Sequence, residues 1–187
     1  MIAFAVLLAT VVVLFVLLVV SYNGLVRLRN KVVEAWSGIE VQLQRRHDLI
    51  PNLVEAVRGY AAHERELFDQ VAAARTLAQA ADGPAEAGPA EAAVTVALGR
   101  LVAVGESYPD LRASENFVAL QHQLAETENE IAAARRIFNG NVQIYNTRVE
   151  TFPNAIWAGS FGFVAADFFE AEPAARQAPS AVGLPAA

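Results

Sequence analysis

The chain has 187 residues, a net charge of −6, an isoelectric point near 5.1 and no cysteine. That acidity excludes a nucleic-acid partner, which would require a basic patch. The absence of cysteine excludes disulfides, thiolate metal sites and a lipidated cysteine.

Residues 2–20 read IAFAVLLATVVVLFVLLVV, without a charge and with one hydroxyl, Thr10. As a helix they reach roughly 28 Å, the thickness of a bilayer's hydrocarbon. Their Leu, Val, Ile and Phe favour insertion, and no polar face marks a soluble core helix. A cleaved signal fits poorly. The apolar core exceeds ~7–15 residues, and Val19-Val20-Ser21-Tyr22 is not a small-residue cleavage site. The stretch predicts a transmembrane anchor with the lipid bilayer as its partner. Arg27, Arg29 and Lys31 follow it closely, with Arg45 and Arg46 further on, and only the amino terminus precedes it. The positive-inside rule then puts the rest of the chain on the cytoplasmic side.

After Ser21 the pattern becomes periodic. Val32, Trp36, Ile39, Leu43, Ile50, Leu53, Val57, Tyr60, Leu67, Val71, Ala74 and Ala78 follow steps of three and four, with Arg46 and Glu64 in two of the slots. This is a helical seam of the bundle or coiled-coil kind. Pro51 interrupts it, and Asp48 is placed to cap a new helix. The expectation is one helix from Tyr22 to His47 and another from Leu49 to Ala80. A single kinked helix is the competing reading.

Asp82 to Ala90, DGPAEAGPA, carries two Gly-Pro pairs and predicts a loop. A third helix is expected from Glu91 to Ser107, with Val94, Leu98, Leu101, Val102 and Gly105 on one face, ended by Tyr108-Pro109-Asp110. Ser114 is positioned as the N-cap of a fourth helix. That helix carries Phe117, Leu120, Leu124, Thr127, Ile131, Ala134, Phe138, Val142, Tyr145 and Val149, and it stops before Pro153. Helices of about 26, 32, 17 and 36 residues with short links suit an all-α, antiparallel up-and-down four-helix bundle.

Phe152, Trp157, Phe161, Phe163, Phe168 and Phe169 then make an aromatic segment. It is expected to pack at the bundle base or at the membrane surface, with Trp157, Phe161 and Phe163 as the contacts. From Ala171 the chain is rich in Pro and Ala and reads as a disordered tail. The domains are thus an anchor at 1–21, a bundle at 22–152, the aromatic segment at 153–170 and a tail at 171–187.

Three long stretches read together: 22–64, which contains RRHDLIPNLV; 97–139, which contains SYPDL followed by SENF; and YNTRVETFPNAIWAGSFGF at 145–163. In these motifs the chain resembles the LemA family of bacterial membrane-anchored proteins. Its departures are His47, where Tyr or Ala is usual, and the Gly-Pro stretch. The resemblance implies a four-helix bundle behind an N-terminal anchor, in a bacterial plasma membrane, with no established enzymatic activity. Some relatives accompany magnetosome membranes and others lie near membrane-protease genes, which implies a scaffold or adaptor. Lipoprotein-like members imply an extracytoplasmic bundle, so the side of the membrane stays open.

Candidate chemistry is sparse. A di-iron bundle site needs Glu three residues before His, and none of His47, His63 and His122 has it. No phosphate-binding loop or nucleophile turn occurs. No catalytic residue, cofactor or metal is therefore expected. Arg46 and Glu64 lie on the apolar seam, where a charge needs a partner. Thr127, Glu128, Arg135 and Arg136 are candidates for that role, and fixing helix register is the ordinary use of such residues. Arg45, Arg46, Asp48 and Asn52, clustered at the expected helix junction, are the candidate partner-binding residues. The function expected is a membrane-tethered scaffold or adaptor working through contacts with a membrane or membrane-proximal protein, or with copies of itself. The alternative is an accessory subunit or small-ligand sensor of a membrane enzyme or protease system.

Overall fold

The computed structural model describes residues 1–170, and every regular element among them is helical. Helix α1 is Ile2–Arg58, α2 is Arg65–Ala80, α3 is Gly83–Glu106, α4 is the single turn Pro109–Arg112, and α5 is Glu115–Glu150. Two 3-10 turns follow, Asn154–Ile156 and Ala158–Phe161. The tail expected at 171–187 lies outside the described residues.

Two helix boundaries differ from expectation, each for a local reason. α1 runs on through Pro51 instead of ending near His47. A proline has no N–H for the carbonyl four residues earlier, here that of His47. Arg75 of α2 fills the gap, its Nε donating to the His47 carbonyl at 3.1 Å. The break comes instead at residues 59–64, where the Tyr60 and Ala61 N–H groups both donate to the Val57 carbonyl and close off the last turn. The predicted loop at Asp82 to Ala90 is mostly the start of α3. Pro84 falls in the first turn, where a missing N–H costs nothing. Glu86 Oε2 accepts from the Asp82 N–H at 3.1 Å. A Cβ at buried Gly88 would collide with the backbone carbonyl of Glu170. That glycine serves a close chain crossing, not a turn.

The chain divides into two compact units. The first holds Met1–Gln44 and Glu128–Phe168. Residues 2–20 of α1 are exposed throughout. Beyond them Leu25, Val32, Ile39 and Leu43 are buried, as are Ile131, Phe138, Val142, Tyr145 and Val149 of α5. Both sets recur at three-, four- and seven-residue steps, so each helix presents one apolar stripe. Asn141 Nδ2 donates to the Lys31 carbonyl at 3.4 Å, and the rings of Trp36 and Phe138 lie 5.4 Å apart. Those two contacts run in opposite chain directions, so the paired stretches are antiparallel.

The second unit holds Arg45–Thr127 with Phe169 and Glu170. Its core gathers Ile50, Leu53 and Val57 of α1, Leu67, Phe68 and Val71 of α2, Val94, Leu98 and Leu101 of α3, Leu111 of α4, and Phe117 and Leu120 of α5. Each such side chain stabilises by about 1.5–3 kcal/mol when fully buried, an upper bound. Packing is tight at Gly105, where an added Cβ would stand 2.5 Å from Phe117 Cζ. α3 is long and apolar enough to cross a bilayer by length and composition. It is a core helix all the same, because its apolar face is buried in this cluster together with Glu91.

Candidate functional site

Two regions depart from the usual distribution of polar and apolar groups. One is a buried charge cluster in the second unit. Arg46 and His47 are adjacent on α1, and Glu91 comes from α3. They are exposed by only 3%, 4% and 3%. The Arg46 guanidinium forms an ion pair with Glu91 Oε2, and His47 Nε2 lies 2.9 Å from Glu91 Oε1. Arg46 also donates to Thr95 Oγ1 at 3.1 Å, and Thr95 donates to the Glu91 carbonyl at 3.1 Å. Residues 91 and 95 are one helical turn apart, so α3 presents both to the same guanidinium. Burial pushes the Glu91 carboxyl upward, the largest single effect. The contact with His47 and the charge of Arg46 together outweigh it and hold the group below its ordinary 4.5.

The structure separates the four residues expected to bind a partner. Arg46 is inside. Arg45 is on the surface, 3.4 Å from Glu126, with both side chains about half exposed. Asp48 and Asn52 are exposed. Asn52 lines a shallow depression of about 260 Å³ with Glu55, Ala56, Asn116 and Leu120. No motif points to Glu91 as a site residue, and His47 stands out in the sequence only as a departure from the family pattern. The signal for Glu91 was present: positions 91, 94, 98, 101 and 105 form an unbroken three-four stripe. Thr127, a candidate partner for the seam charges Arg46 and Glu64, is buried and donates to the Gln123 carbonyl at 2.7 Å, while Arg46 pairs with Glu91. Among the described residues no group of three or more His, Cys, Asp and Glu is arranged to hold a metal ion.

The other region is an aromatic collar in the first unit, where the apolar stretch of α1 ends. Tyr22 meets Phe161 and Phe163 edge to face, at 5.6 and 5.3 Å between ring centres. Trp157 meets the same two rings at 5.7 and 6.4 Å. Arg29 stacks over Phe163 at 5.3 Å. Ser21 Oγ donates to Asn154 Oδ1, and Asn154 Nδ2 donates to the Arg148 carbonyl at 2.8 Å. The following extended segment is held by the Asn146 amide, which donates to the Ala166 carbonyl at 2.9 Å and accepts from the Ala166 N–H at 2.8 Å. Trp157 is half-buried and Phe161 half-exposed, but Phe163 is buried. Phe163 is therefore corrected from a surface contact to a core residue, closed over by Tyr22, Trp157 and Arg29. The outward apolar surface comes instead from Phe152 and Ile156 beside Phe161.

These elements carry the family motifs. The LemA family model matches residues 35–182, most of the chain. The chain belongs to the LemA family. It is 28% identical over 192 residues to magnetosome proteins MamQ 1 and MamQ 2 of Paramagnetospirillum magneticum, covering 88% of this chain and 70% of either relative. It is 26% identical over 134 residues to Protein LemA of Metamycoplasma hominis, covering 70% of this chain and 60% of that protein. The family match includes the charge cluster and the collar's residues from Asn146 to Ala166, and it begins after the exposed apolar stretch and after Ser21, Tyr22 and Arg29. What that stretch does is therefore read from this chain's own residues.

Proposed function

We propose that the chain is a membrane-anchored scaffold or adaptor that works through protein–protein contacts. The observation that carries this reading is α1. Its residues 2–20 are apolar and exposed throughout, and the same helix continues into the packed domain. Exposed apolar surface on that scale calls for lipid or a partner, and its length matches a bilayer. Residues 22–152 are proposed to form the up-and-down four-helix bundle of the family. Arg27, Arg29 and Lys31 favour the cytoplasmic side. The magnetosome proteins among the relatives favour a membrane setting. Buried Arg46, His47 and Glu91 are engaged with one another, which supports a structural role for them. Arg45, Asp48 and Asn52 are the outward groups of that turn and the proposed contact for a membrane-proximal protein or a second copy.

Two measurements test this. Alkaline carbonate washing should leave the intact protein with the membrane fraction; release would remove the anchor. A photo-crosslinking residue at position 52, in the full chain in its native membrane, should give a discrete adduct, to a second copy if the protein self-associates. Absence of any adduct from positions 45, 48 and 52, with the protein still membrane-bound, would remove the contact face.

A further inference from the structure

Phe152, Ile156 and Phe161 are 78%, 73% and 51% exposed, although all three sit in or beside short turns of a well-packed segment. Apolar side chains this open, gathered within ten residues, need a covering. Their place in the unit says which. Ser21 bonds Asn154, and Tyr22 touches Phe161, so the turn lies level with the first two residues after the apolar stretch. If residues 2–20 fill the hydrocarbon, that level is the headgroup layer, roughly 5–7 Å deep on each side of a bilayer. One helical turn rises about 5.4 Å, so the contacts at residues 21 and 22 fall inside that layer. Trp157 and Tyr22, amphipathic rings suited to this depth, form the inner side of the same cluster.

We infer that residues 152–164 are a second, interfacial contact with the bilayer, in which Phe152, Ile156 and Phe161 enter the headgroup layer beside the anchor. The occupant is lipid, because the contacts of Ser21 with Asn154 and of Tyr22 with Phe161 put the turn next to the end of the exposed apolar stretch of α1. The rigid partners beneath it are Ser21, Tyr22 and buried Phe163. The contact fixes the tilt and rotation of the first unit on the membrane, which one spanning helix leaves undetermined. The inference rests on reading residues 2–20 as the anchor.

The chain has no cysteine, so single-cysteine variants take one label each. Full-length Ile156→Cys, Val12→Cys and Val41→Cys, each carrying a nitrobenzoxadiazole label, would be reconstituted in phosphatidylcholine–phosphatidylglycerol vesicles. Lipids spin-labelled at the headgroup or mid-chain would act as quenchers. Position 41 is exposed and lies about 30 Å along α1 from Val20, so it serves as the water-facing reference. The label at 156 should emit at shorter wavelength than that at 41 and lose most intensity to the headgroup quencher. The label at 12 should lose most to the mid-chain quencher. Phe152→Cys repeats the test should Ile156→Cys disturb the turn. Labels at 156 and 152 that behave like 41, with 12 still quenched, would overturn the interfacial contact and leave the anchor standing. A label at 12 that escapes both quenchers would overturn the anchor, and the interfacial contact with it. A wavelength shift at 156 without lipid quenching would mean that protein covers the patch, which also overturns the inference.

Discussion

The charge cluster and the aromatic collar invert each other. At Arg46, His47 and Glu91 the chain puts polar and charged groups where apolar groups belong; at Phe152, Ile156 and Phe161 it puts apolar groups where polar ones belong. The first arrangement is closed, because each of these buried groups meets another within the protein. The second is open, because Phe161 stacks on Tyr22 and Trp157 yet stays half-exposed, and Phe152 and Ile156 are exposed beyond it. A closed polar site specifies which helices pack and in what register. An open apolar site specifies what the protein packs against. Burial, more than residue type, separates the two roles.

The largest effect should come from opening the closed site. Glu91→Ala strips a buried guanidinium of its carboxylate and should cost about 3–5 kcal/mol, measured by denaturant unfolding of the full chain in detergent. Acid should do the same gradually. A carboxyl held below its ordinary value stabilises in full above 4.5 and loses that contribution as pH falls through the lowered native value. Unfolding midpoints should therefore drop on acidification below 4.5, and Glu91→Gln should flatten that part of the profile. An unchanged profile would show that the cluster is not closed in the sense argued.

Gly88→Ala comes next. Its Cβ meets Glu170 backbone, which cannot rotate away, and about 1–3 kcal/mol should be lost as the crossing shifts. Arg75→Ala should cost about 1–2 kcal/mol by leaving the His47 carbonyl without a donor. On a Pro51→Ala background, where the helix supplies its own N–H, that cost should shrink; equal costs on both backgrounds would dissociate Arg75 from the proline. The smallest effect belongs to Arg45→Ala. Its exposed pair with Glu126 is worth less than about 1 kcal/mol, so stability should barely move while crosslinked adducts at the contact face decline.

Much of this fold can be read in the chain itself. The apolar stretch, the helical seams and the extent of α5 are local patterns, and local patterns survive folding. The displaced boundaries share one cause: proline and glycine act here through tertiary partners and not through an isolated helix. Pro51 is tolerated because a guanidinium 24 positions later satisfies the carbonyl it orphans. Gly88 is required by a strand of chain 82 positions later. Neither partner can be located without the tertiary structure. The charge cluster was half legible for the same reason. Arg46 shows its burial by its slot on the seam. Glu91 was hidden by starting α3 at residue 91, which makes it a solvated first-turn acid. Starting the helix at Gly83 places it mid-helix on the buried stripe. The collar's members were legible as aromatics, but which ring faces inward depends on Tyr22 and Arg29.

The Asn146 amide acts on Ala166 as a neighbouring β-strand would, giving and taking one bond apiece, without any sheet among the described residues. Few other side chains could do so. An aspartate there would aim an oxygen at the Ala166 carbonyl, a glutamine would overshoot by one methylene, and a leucine would leave both backbone groups thirsty. A single carboxamide thus latches the extended stretch that follows the collar, and swapping one nitrogen for one oxygen is enough to spring it.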